Sequence, residues 1–223
     1  MTAGALAYER CLASGEWLMR IGVAGATPVL FIPPLFEEMN RTRALLVAAM
    51  RGLAGRGYGC WLADLPGTNE SERALDRVDW SDWQSGVHAA FDHVRSISGA
   101  VPACASVRGG GLLDDTAPAA CHWRFAPVAG ASLARDLKRA GMAGGAELAG
   151  YSPTPDLLAD VETASPAPVA PLRVVRLVSD RAEADARLDG PALWRRSEPG
   201  TAPELSAQIA ADIDAWVRQC AAS

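Results

Sequence analysis

Short apolar runs of strand length alternate with segments of helical periodicity along most of this chain. That alternation predicts the α/β class, a mostly parallel central sheet with helices on both faces. Three observations carry the prediction. Residues 28–32 (P-V-L-F-I), 58–64 (Y-G-C-W-L-A-D) and 172–178 (L-R-V-V-R-L-V) read as strands, the first two apolar enough to be buried on both faces. Residues 40–54 and 79–97 space their apolar side chains three and four apart, as helices lying on a sheet do. Residues 101–113, V-P-A-C-A-S-V-R-G-G-G-L-L, pass from strand formers through small residues toward a helix start, the pattern of a strand, a tight turn and a helix N-terminus.

Composition narrows the class of function. The 223 residues suffice for one domain, and 49% apolar with 21% charged residues is ordinary for a globular chain. A net charge of −5, with Lys138 the only lysine and no basic cluster, argues against a nucleic-acid partner. Cys11, Cys60, Cys104, Cys121 and Cys220 are scattered without a C-x-x-C pair, which suits reduced thiols rather than disulfides or zinc. No metal or cofactor is expected. Glu9 and Arg10 interrupt any early signal-like stretch, and no run approaches the roughly 18 apolar residues of a membrane span. The expectation is a cytoplasmic protein with no membrane span.

Taken in order, residues 16–23 and a weaker run at 8–12 form an N-terminal hairpin across Ser14 and Gly15. Strand 28–32 leads through a Pro33–Met39 loop to a helix from Asn40, read as its N-cap, to Ala54. Strand 58–64 follows, then the 65–71 loop and a helix capped by Asp79 with Trp83, Val87, Phe91 and Val94 on its apolar stripe. Beyond the central turn, Asp114, Asp115 and Pro118 stop the next helix within about two turns, against the usual three. Strand 121–125, a helix near 132–140, a glycine-rich stretch at 141–154 and a short helix at 155–162 come next. A proline-rich connector at 164–171 is extended. After strand 172–178 the chain reads as irregular to Gly200, and the last helix starts from a Thr201–Glu204 capping box. One domain spans residues 1–223, with 132–171 as a reduced cap. Ligands in such sheets bind beyond the carboxyl ends of the strands, so the 33–39, 65–71 and 106–110 loops are expected to converge there.

The central turn has the spacing of the G-x-S-x-G elbow of α/β hydrolases, with Ser106 and Gly110 as flanks and Arg108 at the apex. Arginine keeps its charge and has no nucleophilic lone pair. An α/β-hydrolase fold is therefore expected without its usual nucleophile. Four segments sharpen this: F-I-P-P-L-F-E-E-M-N-R (31–41), L-A-D-L-P-G-T-N-E-S (62–71), the elbow at 106–111 and W-R-F-A-P-V-A-G (123–130). In them the chain resembles α/β-hydrolase-fold proteins of bacterial exosortase and exopolysaccharide systems, the group labelled exosortase A system-associated hydrolase 2. The resemblance runs over roughly residues 28–220 and is most specific in P-P-x-x-E-E-M-N. It implies the fold, the pathway and an elbow that often reads G-L-R-x-G, with arginine again at the apex; here Ser106 replaces the first glycine.

A Ser-His-Asp triad in this fold places its histidine last. The histidines here are His88, His93 and His122, and none follows the last strand. His88 and His93 read as solvated flank residues, His122 as a core or sheet-flank residue. Ser106, the least unsuitable nucleophile, lacks a general base. Arg108 has two readings. With the elbow amides of Gly109 and Gly110, and with Glu37, Glu38, Asn40 and Asp64 nearby, it makes a site for an anionic small molecule. Alternatively it is consumed by an internal ion pair to Glu37, Glu38 or Asp64, the reading the neighbouring acids favour. Adjacent Glu37 and Glu38 are expected to point apart, one of them pairing with Arg41 or Arg43. Trp80 and Trp83 read as packing residues before a carbohydrate platform, and Trp194 as a plug at the cleft mouth. Asp180, Glu183 and Asp185 sit where a triad acid would, with no histidine to orient. The expected protein is non-catalytic or weakly catalytic; an ester or thioester hydrolase with a non-standard nucleophile is the alternative. A protein partner or homodimer is compatible with both.

Overall fold

The computed structural model describes residues 6–144 and 150–222. It holds one eight-stranded sheet built from β1 (Leu6–Arg10), β2 (Trp17–Ile21), β3 (Thr27–Ile32), β4 (Tyr58–Ala63), β5 (Ala103–Val107), β6 (His122–Phe125), β7 (Leu172–Leu177) and β8 (Ala186–Leu188). Their order across the sheet is β1-β2-β4-β3-β5-β6-β7-β8. β2 is antiparallel to both its neighbours, and every pairing from β4 to β8 is parallel. Two distinct apolar layers follow from strand alternation, because successive side chains leave opposite faces. Val29 and Phe31 join one core, under α1 (Glu37–Ala54) and α5 (Pro203–Ala221). Leu30 and Ile32 join the other, under α2 (Trp80–Ser98), α3 (Gly130–Gly144) and α4 (Pro155–Thr163).

Helix starts show where local chemistry was decisive. Asp79 caps α2 as expected and forms a reciprocal capping box with Asp82. Asn40 is not a cap: α1 begins three residues earlier, at Glu37, after Phe36 turns the chain with φ 56°. Two acids in that first turn favour the early start, since carboxylates stabilise the positive end of a helix. The Thr201 capping box also fails, because Pro203 occupies the first helical position and Ala202 the cap. Between β5 and β6 no α-helix forms. Three successive glycines carry a high conformational entropy cost in a helix, and the chain makes two short 3-10 turns, Arg108–Leu112 and Asp114–Thr116.

Residues 141–144, read as part of a glycine-rich stretch, belong to α3, while 145–149 lie outside the described residues. β8 lies within the stretch expected to be irregular. Its three residues carry no periodicity, and pairing with β7 alone defines them.

Candidate functional site

The elbow keeps the strained geometry of a strand turning sharply on itself. Arg108 follows β5 with φ 52°, a left-handed conformation that costs a non-glycine residue about 1–2 kcal/mol. Gly110 cannot carry a side chain there: a Cβ would sit 2.5 Å from the Pro33 carbonyl oxygen and 2.6 Å from that of Ile32. A Cβ on Gly109 would strike Leu133 and Leu35. Among the described residues, four non-glycine positions have positive φ, namely Phe36, Asn69, Arg108 and Ala126. Each follows the carboxyl end of a strand (β3, β4, β5 and β6 in turn), so the strain is concentrated at one end of the sheet. Backbone strain of this kind clusters at functional sites.

The Arg108 guanidinium is held on three sides. Its Nη2 donates to Glu38 Oε1 at 2.9 Å and its Nε reaches both Glu38 oxygens at 3.2 and 3.3 Å. Nη1 donates to the Ala126 carbonyl at 3.2 Å, and the guanidinium lies 4.8 Å over the Trp194 ring. The ion-pair reading is therefore the one the geometry realises, with Glu38 as the partner. Both side chains are close to buried, at 11% and 8% exposure. Burial pushes the Glu38 carboxyl up from its ordinary range, and Arg108 opposes that shift. Arg108 has five N–H donors, of which three find acceptors among the described residues.

Beside this pair lies a cavity of about 470 Å³. Leu35, Phe36, Leu133, Leu137 and Trp194 give it apolar walls. Arg41, Arg108, Arg139 and Arg195 bring positive charge to it, and Glu37, Glu38 and Asp136 negative charge. Glu37 turns to Arg41 at 2.9 Å, so the adjacent glutamates point apart as expected. Arg41 also donates to the Trp194 carbonyl, fixing the turn that carries Trp194 and Arg195. Trp194 is thus a wall rather than a plug, with its edge-to-face partner Phe125 5.8 Å away. Arg195 is exposed and has no ion pair among the described residues.

Several expected site residues are elsewhere. Asp64 does not reach the cavity; it is paired with Arg43 at 3.7 Å and accepts from Asn69 at 3.1 Å, under the β4 end. With its Oδ2 unpartnered, Asp64 is pushed up to about 6 by burial. Consequently the 65–71 loop does not join the other two around the cavity. Asn40 donates to the Tyr151 hydroxyl at 3.2 Å and does not line the cavity. Gly109 and Gly110 are packed against the β3 loop and α3 rather than lining it.

Ser106 points down into the fold, not out at the elbow tip. It is 1% exposed, and its hydroxyl donates to Asp114 Oδ2 at 2.7 Å. Asp114 in turn holds Arg124 through bonds of 2.8 and 2.6 Å, and Arg124 donates to the Ala167 carbonyl. This enclosed pair was not legible in the sequence, where Asp114 read only as a helix stop. No histidine lines the cavity among the described residues. His88 meets the Thr116 carbonyl and Asp92, His93 lies 3.8 Å from Glu9, and His122 is buried in the sheet with its pKa lowered by desolvation. Asp180 pairs with Arg176, and Asp185 accepts from the Val174 amide. The described residues offer no group of three or more metal-ligating side chains, and no described helix is long and apolar enough to cross a membrane.

Comparison with known proteins places the fold. No family model and no curated protein matches the sequence. Solved structures do match. Mouse alpha/beta hydrolase domain-containing protein 10 is 17% identical with a TM-score of 0.63, over 96% of this chain and 99% of its own. Est1E from Butyrivibrio proteoclasticus is 13% identical with a TM-score of 0.63, over 99% and 100%. A Burkholderia cenocepacia protein described as a candidate aryl esterase is 14% identical with a TM-score of 0.60, over 98% and 100%. Strand order, the single reversed strand, the elbow after β5 and these likenesses together make this an α/β-hydrolase fold.

Proposed function

We propose that this chain is a non-catalytic or weakly catalytic α/β-hydrolase-fold protein of the exosortase-associated type. Its elbow arginine completes a cavity for a small anion with an apolar body. The observation that carries the proposal is the commitment of the elbow tip: Arg108 occupies the nucleophile position and is bound to Glu38, Ala126 and Trp194. A nucleophile needs a base within hydrogen-bond reach. Ser106, the one hydroxyl on the elbow strand, spends its proton on Asp114 and is closed off from solvent.

The cavity supports the ligand class. Its apolar walls suit an aryl or short acyl body, and Arg195, Arg41 and the remaining Arg108 donors suit a carboxylate or phosphate head. The exosortase pathway rests on the P-P-x-x-E-E-M-N segment, of which Glu37 and Glu38 hold two of the cavity's arginines, Arg41 and Arg108.

Two measurements test this. A fluorophosphonate probe should leave the purified chain unlabelled, whereas stoichiometric labelling abolished in Ser106→Ala would establish the hydrolase alternative. Calorimetric titration with benzoate and phenyl phosphate should show saturable binding; silence from both at millimolar concentration would remove the ligand half of the proposal.

A further inference from the structure

Four guanidiniums and three carboxylates line the elbow cavity, and each carboxylate has an arginine of its own. The least exposed pair is Arg108 with Glu38, joined at 2.9 Å. Arg41 and Glu37, one turn apart on α1, are also 2.9 Å apart and partly exposed. Arg139 stands 3.6 Å from Asp136 on α3, and both of these are exposed. Four positive charges less three negative leave one, and the residue left over is Arg195. It is exposed and has no ion pair among the described residues. Its backbone is nevertheless fixed, because it ends the 3-10 turn Leu193–Arg195, whose Leu193 and Trp194 are buried. Arg41 holds that turn through the Trp194 carbonyl at 2.9 Å.

This charge count discriminates between ligands. The attraction an entering anion feels grows in proportion to its charge, whereas the hydration it gives up grows with the square of that charge. One unpaired guanidinium therefore compensates one negative charge. A second negative charge meets arginines that are already paired, with their carboxylates beside it to repel it. An ammonium finds no free carboxylate at all. We propose that the cavity selects an apolar acid carrying a single negative charge, an aryl or acyl carboxylate, over a phosphate monoester. This deepens the reading of the cavity as a ligand site and rests on it. The head sits on Arg195 at the mouth, and the body lies against Leu35, Leu133 and Trp194. Asp136 sets the limit, since it is the carboxylate that occupies Arg139.

The test compares phenyl sulfate with phenyl phosphate by calorimetric titration of the full chain at pH 8 and low salt. The two heads have the same shape, but the phosphate has lost its second proton, with a pKa of about 6, and carries two charges. The parent should bind phenyl sulfate about fivefold or more tighter than phenyl phosphate, with benzoate on the side of the sulfate. Asp136→Asn, at an exposed position, frees Arg139. It should strengthen phenyl phosphate about tenfold and phenyl sulfate by no more than about threefold, so that the preference fades. Equal or tighter binding of phenyl phosphate by the parent, or a preference unmoved in Asp136→Asn, would overturn the charge selection and leave the ligand site standing. Silence from benzoate, phenyl sulfate and phenyl phosphate alike would remove the site, and the selection with it.

Discussion

Two arginine–carboxylate pairs lie within one elbow, and they do different work. Arg124 and Asp114 sit beneath it at 5% and 0% exposure, with the carboxylate shared by Arg124 and Ser106 and the guanidinium anchored to Ala167. Both Asp114 oxygens are engaged inside the protein, and the pair ties β5, β6 and the proline-rich connector together. Arg108 and Glu38 sit at the tip, at 11% and 8%, with an aromatic face on one side and a cavity on the other. The first pair is a closed lock. The second is a lock that also presents charge to a space a ligand can enter. Burial alone does not separate the two; what the remaining donors face does.

The largest effect is expected at the closed pair. Asp114→Asn leaves Arg124 buried without its counter-charge, and should cost about 3–5 kcal/mol in chemical denaturation. A change under 1 kcal/mol would mean that solvent reaches this pair after all.

Asp64→Asn should give an effect of about 1–3 kcal/mol that depends on pH. The folded carboxyl titrates near 6 against 3.8 unfolded, so the folded state holds the extra proton. Asp64 therefore lends stability at low pH that is lost as pH rises through about 6. Relative to the parent, Asp64→Asn should gain stability between pH 4 and 7; a parallel pair of stability curves would refute this.

The smallest effect on stability belongs to the cavity rim. Arg195→Ala should change stability by less than about 0.5 kcal/mol, as surface substitutions do. It should nevertheless weaken benzoate binding about fivefold or more. Unchanged affinity would move the anion head away from Arg195.

The strands, their alternation with helices and the elbow were legible because burial on both faces writes itself as short apolar runs. Arg108 at the tip was legible from spacing alone. The identity of its partner was not, since Glu37, Glu38 and Asp64 all follow the carboxyl ends of β3 or β4 and only the early start of α1 turns Glu38 toward it. Arg139 and Arg195 reach the cavity from α3 and from a turn without periodicity, so nothing in their local sequence marked them. Asp114 looked like a helix breaker because its partner, Arg124, is brought under it by parallel pairing of β5 with β6.

The central claim is that the elbow guanidinium is bound to Glu38 rather than left free as a reactive or empty position. A double-mutant cycle of Arg108→Ala and Glu38→Ala, read by urea denaturation at pH 7, measures that directly. The account predicts a coupling of about 1.5–3 kcal/mol. Additivity within about 0.5 kcal/mol would contradict it.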